Sequence, residues 1–301
     1  MNKKVWFGVL VLAILGGFAG YQAYQFHKWY MDYSLPVVKN NRLQFRTLSE
    51  LKVHLEELQQ HIDYITLVAP LKGRLREYEE LLQELPSLAK DKELDLVSMI
   101  HWRKSLENDE AFMSDVRVCQ GSIFKFLAER HYQVVGKEGS WSEDVNYASL
   151  QEENFQSLRL AGLYEDGNMA IREWFRTEFF RMLPVEAVLK YKTEYPSRFV
   201  TGVEDEELFR FASLVRERMD ETTNLSELLY LVEVERLVSW LRTEVAMAKL
   251  LKVMQKRSWT RGVLVMGQDH RYAFKKLAAV LALKTQEYHP VPWLQKNFEP
   301  Y

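Results

Sequence analysis

The chain has 301 residues, 47% of them hydrophobic and 13% aromatic, a balance that excludes general disorder. Forty lysines and arginines stand against 42 aspartates and glutamates, so a formal net charge of −2 gives no global attraction to nucleic acid. The one cysteine, Cys119, forbids an intramolecular disulfide; with Val116 and Ile123 at helical spacing it reads as a buried thiol rather than a nucleophile.

Lys3-Lys4 is followed by an apolar run, Val5 to Ala23, that contains one amide and no charge. Its 19 residues match the roughly 20 that an α-helix needs to cross a bilayer, with Trp6, Tyr21 and Tyr24 at its ends. A cleaved signal peptide is the competing reading, with Gly17-Phe18-Ala19 as a small-x-small site. The absence of Gly and Pro from Tyr21 to Tyr33 favours an uncleaved anchor that continues out of the bilayer. The lysine pair places the N-terminus in the cytoplasm and the body outside it. In a bacterium that means an inner-membrane protein with a periplasmic body, so the membrane is one expected partner.

Beyond the anchor the pattern reads as helices. Thr47-Leu48-Ser49-Glu50 has the form of a capping box, and Leu51, Leu55, Leu58, Ile62 and Ile65 form an apolar stripe behind it. Leu71 to Leu85, bounded by Pro70 and Pro86, reads as a second helix with Leu75, Tyr78, Leu81 and Leu82 inward. Residues 91–106 and 109–135 read as two more helices, and 136–147 as the clearest loop. Helices are expected over 150–163, 169–183 and 204–219, with a short one after Pro184. Asn224 caps the longest helix, which runs to about Lys256. Val263 to Met266 is the one convincing strand candidate and too isolated to build a sheet. Asp269 to Gln286 is the last helix, with Asp269 as its cap. The expected fold class is therefore all-α: an N-terminal anchor over 1–33, a membrane-proximal helical region over 34–135 and a C-terminal helical domain over 148–301.

Three constellations carry chemistry. His54, Glu57 and His61 share one helix face and offer a divalent-metal set, but their place as half-exposed polar flanks of an apolar stripe is the better explanation. Asp269-His270 offers a general base with a carboxylate beside it and Ser258 or Thr260 as nucleophile, but no nucleophile-elbow motif supports it. The Glu173–Arg181 segment, with Trp174, Phe175, Phe179 and Phe180, reads as core.

Charge is also segregated. Between Thr201 and Glu235 ten acidic residues face three arginines, whereas Arg242 to Lys284 holds ten basic residues against two acidic ones. Dipole matching explains part of this. Mutual neutralisation of the two stretches is one account of the rest; the other is a basic docking surface of Lys249, Lys252, Lys256, Arg257, Arg261, Lys275 and Lys276, with an envelope protein, anionic lipid or cell-wall polymer as partner. The reading that follows is a non-enzymatic scaffold or assembly factor of the bacterial envelope, with no metal or cofactor. The alternative is an envelope hydrolase or metal-dependent enzyme built on a His/acid cluster.

Overall fold

The computed structural model describes residues 25, 28–29, 32–39, 42–58, 65–99, 110–146, 149 and 186–290. The chain divides into two compact units, Met1–Ser34 and Leu35–Tyr301. The apolar run Val5–Ala23 lies outside the described residues, as do 150–183. Among the described residues no helix is long and apolar enough to cross a membrane.

The second unit opens with a hairpin, β1 (Val37–Lys39) and β2 (Arg42–Gln44), followed by α1 (Arg46–Leu58) and α2 (Ile65–Ala89). Next come β3 (Glu93–Met99), α3 (Glu110–Glu129), β4 (Val134–Lys137), α4 (Ala187–Glu194), β5 (Val200–Gly202), α5 (Glu206–Glu221) and α6 (Leu225–Lys256). β6 (Arg261–Gly267), a 3-10 turn (Gln268–His270), α7 (Arg271–Val280) and β7 (Glu287–Tyr288) complete it. Strands β3 to β7 form one parallel five-stranded sheet in the order β5-β4-β6-β3-β7.

The fold is thus mixed α/β, and the all-α expectation is wrong. The sequence pattern predicts a helix over 91–106, yet 93–99 form β3, paired with β6 in register from Glu93↔Arg261 to Met99↔Gly267. Val263–Met266 is no isolated strand but the centre of that sheet. The physical cause is burial on both faces. Strands of a parallel sheet read as continuous apolar runs without a two-residue alternation, and a short apolar run does not separate strand from helix. In β3, residues Leu94 to Met99 are all buried, polar Asp95 and Ser98 included. Pro70 and Pro86, read as boundaries, both lie inside α2.

Alternate residues of the strands face two different helical layers. Val97, Met99, Val135, Val263 and Val265 pack against Val116, Cys119, Ile123 and Leu127 of α3 and Ala187 and Val188 of α4. On the opposite face α6 lies so close that a Cβ at Gly136 would stand 2.9 Å from Leu250, and one at Gly262 2.9 Å from Met254. Helix α6 is buried over most of its length and serves as the hub on which α1, α2, α5 and α7 pack. Each fully buried leucine along it contributes about 1.5–3 kcal/mol relative to exposure. Asn224 caps it as expected, accepting from the backbone N–H groups of Ser226 and Glu227 at 3.0 and 3.3 Å. Thr47 does not cap α1; its buried hydroxyl donates to the Glu244 carboxylate of α6 at 2.7 Å.

This layering has a consequence for function. The chain leaves β4 for β5 by way of α4, on the α3/α4 face. It leaves β6 for β7 by way of α7, on the α6 face. The carboxyl ends of the neighbouring strands β4 and β6 therefore part in opposite directions. In open parallel sheets such a switch point is where ligands bind.

Candidate active site at the carboxyl edge of the sheet

Four buried ionisable side chains meet at that switch point. Glu138 is the first residue after β4, Glu204 follows β5 by two residues, and His270 follows β6 by three. Arg242 comes from the middle of α6. All four are 7% exposed or less.

Glu138 is held from three sides. Its Oε1 accepts from an Arg242 guanidinium nitrogen at 3.1 Å and lies 3.1 Å from His270 Nε2. Its Oε2 accepts from the backbone N–H of Gly267. Arg242 also grips Glu204 with two hydrogen bonds, of 2.7 and 3.1 Å, the fork geometry that suits a guanidinium. Burial works against the Arg242 charge, but Glu204, Glu138 and Glu235 outweigh it and hold the guanidinium above its ordinary value.

The other ring nitrogen of His270, Nδ1, is 2.8 Å from the Thr243 hydroxyl. That hydroxyl donates to the Ser239 carbonyl at 3.0 Å and so accepts from Nδ1–H. The alternative has Thr243 donating to Nδ1, which leaves the N–H on Nε2 as a donor to Glu138 Oε1. In either arrangement the ring is held with Nε2 aimed at the Glu138 carboxylate.

Backbone conformation brings the parts together. After Glu138 the chain turns at Gly139, whose φ of 72° is in the left-handed region that glycine adopts without cost. Ser140 and Trp141 then run so close to β5 that a Cβ on Gly202 would overlap the Ser140 carbonyl group and stand 2.6 Å from Trp141 N. Backbone bonds from Gly202 N to Ser142 O (2.7 Å) and from Glu204 N to Ser140 O (2.9 Å) fix this approach and set Glu204 beside Glu138. Lys137, also buried, donates to the Glu138 carbonyl at 3.0 Å and lies 3.8 Å from Glu186.

The sequence singled out His270 and missed Glu138, Glu204, Arg242 and Thr243. His270 is buried as a general base would be, but its carboxylate partner is Glu138; Asp269 is exposed and caps no helix. Ser258 and Thr260 precede β6, whose seven residues separate them from His270 by about 20 Å, so neither is its nucleophile. His54 pairs with Glu57 at 3.4 Å and packs edge-on against Tyr230, while His61 lies outside the described residues. Among the described residues no group of three His, Cys, Asp or Glu side chains converges as a metal site. The Glu173–Arg181 aromatics also fall outside them.

The seven basic residues are spread over several elements. Lys249 donates to the Glu204 carbonyl, Lys252 pairs with Glu84 at 2.9 Å, and Lys256 lies 3.8 Å from Glu143. Arg257 stacks on Phe199 and Trp259, and Arg261 lies over Tyr132, 3.7 Å from Asp95. Lys275 is 3.5 Å from Glu287, and Lys276 lies over Tyr272.

The expectation of a non-enzymatic scaffold is overturned by this centre. A buried, interconnected Arg/Glu/His network at the carboxyl edge of a parallel sheet is more consistent with an active site than with a passive fold. Comparison with family models, curated proteins and solved structures finds no match to this chain.

Proposed function

We propose that the protein is a hydrolase that cleaves a neutral acyl bond by general acid–base catalysis through Glu138 and His270. The observation that carries this is the 3.1 Å contact between a buried carboxylate and a buried imidazole at the switch point. In this reading the Glu138 carboxylate takes a proton from the attacking water, whose oxygen bonds to the substrate carbonyl carbon. His270 delivers its Nε2 proton to the departing nitrogen or oxygen as the C–N or C–O bond breaks. Return of the proton from Glu138 to His270 restores the pair, and the products are a carboxylic acid and an amine or alcohol. Arg242, locked to Glu204, holds the carboxylate in place.

Charge matching selects the substrate class. Among the described residues every basic side chain at the site is already engaged: Arg242 by two carboxylates, Lys137 and Lys249 by backbone carbonyls, and His270 by Glu138. A phosphate or sulfate ester would have to displace one of these, whereas an amide or ester carbonyl does not. The apolar Val5–Ala23 run supports a working position at a membrane, with the body on its outer face.

A panel of amide and ester substrates, assayed with the full chain and with Glu138→Gln and His270→Asn, tests the reading. Each substitution should lower turnover by about 10²–10⁴-fold, the usual contribution of a general acid–base group. Unchanged turnover in both folded variants would refute it.

A further inference from the structure

The β1–β2 ribbon stands apart from the five-stranded sheet and supplies nothing to the Glu138–His270 centre. Its antiparallel register pairs Val37 with Gln44, Val38 with Leu43 and Lys39 with Arg42. Strand β2 is tied to the body, where the Gln83 side-chain amide of α2 donates to the Leu43 carbonyl. Strand β1 is exposed along its whole length, Val37 by 47% and Val38 by 73%. Residues directly opposite one another share a face, so Lys39 and Arg42 stand side by side, with Val37 on the same face. Like charges in such a pair repel. Among the described residues neither has an ion-pair partner. The carboxylates that flank Gln83 are engaged elsewhere: Glu79 with Lys52, Glu80 with Arg76 and Glu84 with Lys252. From Tyr33 to Ser49 the sequence holds Lys39, Arg42 and Arg46 and no acidic residue.

A lysine on a free edge strand guards against pairing with another chain. Two exposed valines at the same edge work against that, so the guard alone does not explain the composition. We propose that the ribbon docks the body onto the anionic phospholipid headgroups of the bilayer that the Val5–Ala23 run spans. This rests on the membrane position proposed for the chain, not on the acyl-hydrolase reading. A headgroup phosphate between Lys39 and Arg42 replaces their repulsion with two charge-assisted contacts. The valines enter the interfacial region, while the basic side chains lay their stems along the apolar boundary and keep their charge in the headgroup layer. Thirteen residues, 24–36, connect the apolar run to β1, so the contact forms within one molecule and needs little affinity of its own.

The test reconstitutes the full chain in vesicles of phosphatidylcholine, or of phosphatidylcholine and phosphatidylglycerol in equal parts. A fluorophore on Val38→Cys reports contact with a quencher carried by the lipid headgroups; Cys119 is buried and stays unlabelled. Val118→Cys, exposed on α3 across the sheet, is the reference. Quenching of the Val38→Cys label should exceed that of the reference in the mixed vesicles, and should fall in phosphatidylcholine alone or at high salt. Lys39→Glu with Arg42→Glu, or the milder Lys39→Gln with Arg42→Gln, should leave the melting temperature unchanged. Either pair should lower the docked-to-undocked ratio about fivefold or more per charge removed, the weight of one basic residue at an anionic surface. Equal quenching of the two labels, quenching that ignores lipid charge, or a Val38→Cys disulfide between two copies without quenching would overturn the proposal. The anchor is read separately, by flotation of the charge-reversed chain with phosphatidylcholine vesicles. Flotation without selective quenching of the Val38→Cys label sinks the ribbon contact and leaves the anchor. Selective quenching in mixed vesicles without flotation in phosphatidylcholine does the reverse.

Discussion

His270 Nε2 lies 3.1 Å from Glu138 Oε1 although 132 residues separate them in the chain. Two strand ends and one helix hold that contact: β4 supplies the acid, β6 the imidazole, and α6 both Arg242 and Thr243.

Thr243 fixes the ring of His270 without reaching the reacting atoms. Thr243→Val removes the hydrogen-bond partner of Nδ1 and should lower kcat about tenfold, whereas Thr243→Ser keeps the hydroxyl and should restore it. Nitrogen-15 shifts of the His270 ring should change in the valine variant alone. Identical ring shifts in both variants would show that Thr243 only packs.

Arg242 is both a positioning group and a stability element. Arg242→Met leaves Glu138 and Glu204 buried without their shared cation, and should cost about 3–5 kcal/mol in urea unfolding. Adding Glu204→Gln to that variant should recover part of the loss, because the two sites are directly coupled. A strictly additive pair would contradict the network.

Gly202 has no room for a side chain against Ser140 and Trp141. Gly202→Ala should cost about 1–3 kcal/mol, the range for overpacking, and should lower turnover by moving Glu204 away from Arg242. A neutral alanine in both measurements would mean that the β4 loop is free to shift.

Glu287 contributes to the acid limb of the stability curve. Burial raises its carboxyl, but hydrogen bonds and charges from His289 and Arg271 outweigh this and hold it below the ordinary range. With the folded value below the unfolded one, the contribution is present above the unfolded value and lost as the pH falls through the folded one. Because Glu287 pairs with Leu96 in the β7–β3 contact, that loss also loosens the sheet edge. Melting temperature against pH should therefore fall less steeply on the acid side for Glu287→Gln. Parallel curves for the two proteins would rule the contribution out.

How much of this is legible in the sequence differs from residue to residue. The long helix and its Asn224 cap are, because capping and helical periodicity are local signals. The sheet is not: Leu94–Met99 and Gly262–Met266 are buried on both faces, so no alternation marks them, and their pairing spans more than 160 residues. His270 draws attention beside Asp269, but its true partner depends on that pairing. A usable signal existed in two apolar runs, Val134–Gly136 and Val263–Gly267, each ending at glycine and followed within three residues by Glu138 or His270. Arg242 and Thr243 amid the apolar residues of a long helix gave a second: such residues are buried only where a partner waits for them.

The central claim is that Glu138 and His270 act as one unit, and a double-mutant cycle on kcat tests it most directly. The account predicts that Glu138→Gln, His270→Asn and the double variant lose similar amounts of activity, since removing either member disables the pair. Losses that multiply in the double variant, in folded protein, would contradict it.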